Sequence, residues 1–397
     1  MTVLVIGGGF AGVAAAWGLE RRGRDVLLLW DGAGASSLYS GALDRQDWDG
    51  PADPRPVARE VDDFLQALDC WAQPEGVGAR LATSGGMLRP ARCHDRALLD
   101  LEPLRGRRVD VVDAARRGWD AADLARAWSL SSWARQTRTE FRVLPVRLPD
   151  GEALRFLPEG ELAARADDPA WGNAFGEALR TAGDGEAPLL CGPWLGLLPR
   201  SVQRVREAAR RPLGEVLSAP GGPAGFRFEA ARSAWLERAR VQVRSGTVLG
   251  IQRGEQAFDV AIDTGGGAAR LDPAPTEIVL AIGGVAGGGI RFLAGSGPEA
   301  RSFSLSLAVP LPLCLGGREV TLESGALGAD LQSLGRGALE TVGVLADEAQ
   351  RTAVPGLYAA GDVVADRPRA ALEAIYAGIA AARGVCRVSA SQVPVTL

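Results

Sequence analysis

The opening of the chain restricts its fold more than any other stretch. Val3 to Ile6 is an unbroken apolar run, as expected of a buried parallel strand, and it leads straight into Gly7-Gly8-Gly9-Phe10-Ala11-Gly12. An alanine-rich segment, Val13 to Arg22, follows with helical character, and Gly23 is placed to end it. A second apolar strand, Val26 to Trp30, then delivers Asp31. Strand, G-x-G-x-x-G turn, helix, strand and acid in this order form a dinucleotide-binding unit. Gly7 permits the tight turn, Gly9 lets backbone approach a pyrophosphate, and Gly12 allows the helix to pack closely. Phe10 and Ala11 lie in the turn, and the helix N-terminus that follows supplies free N–H groups and a positive dipole end for that pyrophosphate. Asp31 can accept hydrogen bonds from a ribose diol.

That block does not choose between flavin and nicotinamide. The segment Pro355 to Val363 does: a short apolar strand ending in Gly361-Asp362, similar to the second flavin motif of flavoproteins with two dinucleotide-binding folds. The resemblance implies that Asp362 binds a ribitol hydroxyl and that the next helix, expected over Arg369 to Arg383, points its N-terminus at the isoalloxazine. Glu277 to Gly284 resembles the strand that crosses beneath the cofactor in the same flavoproteins.

Further segments resemble the B subunit of anaerobic glycerol-3-phosphate dehydrogenase. They are the serine-rich turn Ser36 to Asp44, the stretch Gly85-Gly86-Met87-Leu88-Arg89-Pro90-Ala91, Leu213 to Pro220 continuing to Gly225-Phe226-Arg227, and the glycine-rich Gly283 to Gly289. The similarity runs through nearly the whole chain and is vaguest over 125–212. It implies a flavin-carrying redox subunit, with a second flavoprotein subunit oxidising glycerol 3-phosphate and an iron–sulfur subunit passing electrons to quinone. That family is generally assigned FMN, whereas Asp31 argues for FAD; FAD is the favoured cofactor and FMN stays open. Asp366-Arg367-Pro368-Arg369 departs from the glycine-rich loop that the family carries before its last helix.

The expected fold is α/β: a Rossmann-like FAD/NAD(P)-binding core with an inserted α+β substrate or cap domain. The core is discontinuous, built from 1–50, 226–290 and 346–397, and the insertion comprises 51–225 and 291–345. Arg227 to Arg240 reads as an amphipathic helix, and Val241 to Leu249 alternates as a strand returning the chain to the core. Pro220-Gly221-Gly222-Pro223 reads as a hinge. The candidate cofactor-binding residues are Gly7, Gly9, Phe10, Ala11, Gly12, Asp31, Ser40, Gly41, Val248, Ala281, Gly283, Gly361 and Asp362.

Composition narrows the remaining classes. A net charge of −4 gives no general attraction to nucleic acid or anionic lipid. Every basic residue is arginine, which removes a lysine Schiff base or a phosphate-loop lysine. Cys70, Cys93, Cys191, Cys314 and Cys386 are scattered, with no pair at iron–sulfur or zinc spacing, so no metal site is expected. MTVLVIGGGF lacks the parts of a signal peptide, and Ile278 to Ile290 is too short to span a bilayer. The expectation is a cytoplasmic chain without membrane insertion, reaching a membrane only through a partner. His94, the only histidine, is a candidate base; Cys93 is a candidate thiol; Arg89 and Arg227 are candidate anion binders. No pattern singles out one of them, so catalytic residues are unassigned. Three readings remain: an electron-relay subunit, a self-contained FAD oxidoreductase acting on a small anionic metabolite, and a non-catalytic scaffold.

Overall fold

The computed structural model describes residues 2–44, 58–74, 78–294, 301–320 and 341–391. Its centre is a five-stranded parallel sheet in the order Val241–Ser245, Asp25–Trp30, Thr2–Ile6, Glu277–Leu280, Leu357–Ala359. The first strand is thus hydrogen-bonded on one side to a near neighbour in sequence and on the other to a strand about 270 residues away, as the register Val3↔Glu277 records. The order reverses at this strand. Its carboxyl end is therefore the switch point where ligands bind in open α/β sheets.

Helix Phe10–Glu20 packs on one face of the sheet, and Phe10 to Leu19 are all buried. It has no polar face because the last helix, Ala371–Ser391, covers its outer side. The contact is close enough to need glycine: a Cβ on Gly378 would lie 2.2 Å from the Ala11 carbonyl oxygen, and one on Gly18 would lie 2.8 Å from Ala382 Cβ. On the opposite face Leu4, Leu27 and Ile278 share a core with Val248, Val260, Leu307, Leu313 and Val344. Residues 301–315 and 342–344, expected in the insertion, thus pack beneath the Rossmann sheet. The boundary expected at residues 50–51 and much of 291–345 lie outside the described residues.

The expected strand Val241 to Leu249 is two strands. Val241–Ser245 completes the edge of the core sheet, and Thr247–Arg253 starts a separate antiparallel sheet with Phe258–Asp263. Gly246, at φ +156, makes the break. Pro220 to Pro223 is a packed turn that starts helix Pro223–Leu236; a Cβ on Gly222 would meet the Ser218 side chain at 2.6 Å.

The insertion carries its own four-stranded parallel sheet, ordered Leu213–Glu215, Leu189–Cys191, Arg108–Asp113, Glu140–Pro145. Short antiparallel pairs, such as Ala79–Ala82 with Leu88–Ala91, accompany it. Trp128, Phe175, Leu189 and Trp194 are among the buried residues of its core.

The two cores meet at Arg227. Its neighbour Phe228 packs at 4.3 Å from the Phe10 ring in the Rossmann layer. Its guanidinium donates to Asp95 Oδ2 at 2.8 Å, Glu215 Oε2 at 2.7 Å and the Gly196 carbonyl at 2.6 Å. Glu215 also accepts from Leu195 N. All three charged side chains are almost fully buried. Burial outweighs Arg227 and raises the Glu215 pKa from 4.5 to about 7. The folded chain therefore holds this proton more tightly than the unfolded chain, and stability falls as pH rises through that window. We expect wild type to lose roughly 3 kcal/mol between pH 4.5 and 7 relative to Glu215→Gln, which does not titrate. Urea midpoints of both proteins across that range measure it; parallel pH profiles would contradict the assignment.

Candidate functional site

The carboxyl end of the first strand turns at Gly7, whose φ of +114 suits glycine. A Cβ there would lie 2.1 Å from the Ala281 carbonyl oxygen, so the turn touches the neighbouring strand backbone to backbone. Gly12 closes the other side: its Cβ would be 1.8 Å from the Gly7 oxygen. Gly9 caps the helix without a side-chain hydrogen bond of its own. Instead Phe10 N donates to Ser36 Oγ at 3.0 Å, across from the serine-rich turn. The helix N-terminus beyond Phe10, beside backbone that carries no side chain at Gly7 and Gly9, is the candidate phosphate cradle.

A cleft of about 740 Å³ runs from this cradle in both directions. Towards one end lies Asp31, which accepts a hydrogen bond from Thr247 Oγ1 at 3.0 Å, with Val248 alongside. That carboxylate stands at the end of the second strand, where a ribose diol is read. Towards the other end lie Ser40, Ala42, Asp44, Arg89, Asp362, Ala370 and the first residue of the last helix, Ala371. Leu372 N, in that helix's first turn, donates to the Asp44 carbonyl. Burial raises the Asp362 carboxyl, and the Arg369 charge opposes this. Gly284 lets the crossing strand's turn reach Asp362, since a Cβ there would lie 2.6 Å from the Asp362 carbonyl oxygen.

Ten of the thirteen expected residues line the cleft: Gly7, Gly9, Phe10, Ala11, Asp31, Ser40, Val248, Ala281, Gly283 and Asp362. Gly12, Gly41 and Gly361 stand behind it and shape the backbone. Gly41 (φ +118) fits against Leu98, and Gly361 (φ +76) fits against Ala11, each where a Cβ would come within 2.8 Å. Sequence reasoning did not place Trp30, Thr247 or Arg232 in the site, nor the role of Ser36. Ser36 was legible only as part of the serine-rich turn. Arg232 sits in a helix whose pattern advertises packing.

The other candidates separate. His94 is buried outside the cleft; its Nδ1 is 2.8 Å from the Asp95 carbonyl, and burial lowers its pKa. Cys93 is buried beside it, and burial pushes its thiol up to about 12, which leaves no reactive thiolate. Arg227, expected as an anion binder, is instead an internal ion-pair partner of Asp95 and Glu215. Arg89 does line the cleft, paired with Asp44, whose other oxygen accepts from Arg92 N. Among the described residues there is no cluster able to hold a metal ion, and no helix is long and apolar enough to cross a membrane.

Residues 2–74 match the family model described as "FAD binding domain". The cofactor is FAD. The match covers the cradle, Asp31 and the serine-rich turn. No curated protein matches the sequence. Among solved structures, AlpK is 11% identical with a TM-score of 0.34, covering 98% of this chain, which spans 62% of the length of AlpK. The GidA-related protein of Thermus thermophilus is 14% identical, covering 97% of this chain and 98% of its own, with a TM-score of 0.32. Glycine oxidase of Geobacillus kaustophilus is 13% identical, covering 97% and 94%, with a TM-score of 0.36. Likenesses this loose leave the chemistry to the chain's own residues.

Two substitutions check the site. Gly9→Val places a branched side chain against Ser36 and the cradle, and is expected to abolish flavin retention on purification; full occupancy would contradict the cradle. Asp31→Ala is expected to weaken FAD about tenfold while leaving FMN nearly unchanged, as read by equilibrium dialysis. Equal weakening of both flavins would make Asp31 a structural residue.

Proposed function

We propose that the chain is an FAD-dependent oxidoreductase subunit that relays electrons within a glycerol-3-phosphate dehydrogenase-like complex, from a second flavoprotein towards an iron–sulfur subunit and quinone. FAD, when bound, supplies the capacity to accept a hydride or electron pair and to release electrons singly. The observation that carries the reading is the state of the acid–base groups near the cleft. Oxidising an alcohol at flavin requires a base to take the hydroxyl proton. Among the described residues that line the cleft, Asp44 is engaged by Arg89 and by Arg92 N, Asp31 accepts from Thr247, Glu229 lies within the field of the Arg232 charge and Asp362 is the candidate ribitol ligand, while the single histidine is buried elsewhere. Electron relay needs no such base. The short resemblances to the dehydrogenase B subunit are the support for this choice of complex.

A second reading is a self-contained oxidoreductase acting on a small anionic metabolite. Arg89, Arg291 and Arg369 all line the cleft, and guanidinium groups bind carboxylate or phosphate.

Purification of the tagged full chain from its native host separates the two. The relay reading expects a second flavoprotein and a cysteine-rich iron–sulfur protein to co-purify in fixed ratio. A chain that emerges alone and reduces its flavin with an added anionic metabolite would overturn the relay reading in favour of the second.

A further inference from the structure

We propose that Arg232 neutralises the FAD pyrophosphate, held in place by Trp30, so that a side chain outside the fingerprint sets how tightly the dinucleotide binds. Arg232 lies in helix Pro223–Leu236, which follows the insertion in sequence. Its guanidinium carbon sits 5.0 Å over the Trp30 ring and 5.9 Å from the Phe228 ring. One terminal nitrogen donates to the carbonyl of Gly8, the middle glycine of the fingerprint, at 2.8 Å. Gly8 admits this arrangement: a Cβ there would lie 2.7 Å from the Trp30 ring. Arg232, Trp30 and Gly8 line the same cleft as the cradle.

The donor inventory points to a ligand. Nε of Arg232 is buried and has no hydrogen-bond partner among the described residues. Nε is enclosed by protein and only one terminal nitrogen is engaged, at Gly8, so the second terminal nitrogen is the donor left to meet a phosphate oxygen in the cradle. Charge gives the same direction. A pyrophosphate diester carries a negative charge on each phosphate, while a helix N-terminus offers only about half an elementary charge. A fixed arginine beside the cradle makes up the shortfall. Burial draws the Arg232 pKa down and Glu229, on the same helix, opposes this; an arginine remains charged throughout. The stack on Trp30 restricts the side chain before any ligand arrives, which lowers the entropy lost on binding.

The test is FAD titration of the full-length apoprotein by flavin fluorescence quenching across a range of NaCl concentrations, with thermal midpoints of the apo forms as a packing control. Arg232→Met is expected to raise the FAD Kd about tenfold to a hundredfold and to flatten its dependence on salt. Arg232→Lys is expected to keep the salt dependence and recover part of the affinity. If Arg232→Met does not fold, Arg232→Gln, which retains hydrogen bonding without charge, takes its place with the same expectation. Wild-type affinity in the uncharged variant, or weakened affinity with an unchanged salt slope, overturns the proposal. The inference rests on FAD as the cofactor; failure of wild type to bind FAD would instead overturn that assignment.

Discussion

The contact between the first and last helices carries the rest of the structure. Helix Phe10–Glu20 is wedged between the central sheet and helix Ala371–Ser391, and glycines at 18 and 378 bring the two helix backbones together. Gly361 adds a third close approach, onto Ala11. A helix buried on all sides gains nothing from amphipathicity; its stability comes from tertiary burial and from fit at native packing density. The same contact fixes the cradle. Ala11 touches both Gly361 and Gly378, so the phosphate-binding turn, the Gly-Asp motif and the final helix are positioned as one unit, although hundreds of residues separate them in sequence.

The insertion is tied to this unit through buried charge. Arg227 projects from a helix that packs in the Rossmann core and is satisfied by Asp95, Glu215 and Gly196 of the insertion. Such a cluster gives little net stability over a well-packed apolar equivalent, but losing one partner is costly because the other charge is left uncompensated. We read it as a specificity device that admits one docking orientation, and in that orientation Arg89 pairs with Asp44 of the core at the flavin end of the cleft. The insertion thereby contributes to the site while its own tryptophan-rich core stays separate.

Much of the candidate site was legible in the sequence as motifs that follow strands, and the structure gathers their residues at one cleft. Gly7, Gly9 and Gly12 recur at the spacing of a strand–turn–helix fingerprint, with Gly12 packed on the Gly7 backbone, and Asp31 and Asp362 follow their strands at short offsets. What escaped depended on long-range packing. Gly246 breaks an alternating run that reads as one strand, because alternation reports a buried face and says nothing about which sheet supplies it. Residues 301–315 read as part of the insertion, yet their apolar side chains pack beneath the central sheet. The parallel sheet of the insertion contains strands as short as Leu189–Cys191, below the length at which periodicity is informative. Arg227 and Arg232 are chemically alike and five residues apart. Only three-dimensional placement makes one an internal ion-pair partner and the other a wall of the cleft.

Whether the cleft is built for FAD is measured most directly by the identity and amount of flavin released on denaturing the purified chain. A cleft of this kind is expected to yield stoichiometric, non-covalent FAD, identified by mass, with rebinding to the apoprotein restoring the flavin absorbance spectrum. Recovery of FMN alone, or of an apoprotein that does not take up FAD, would contradict it.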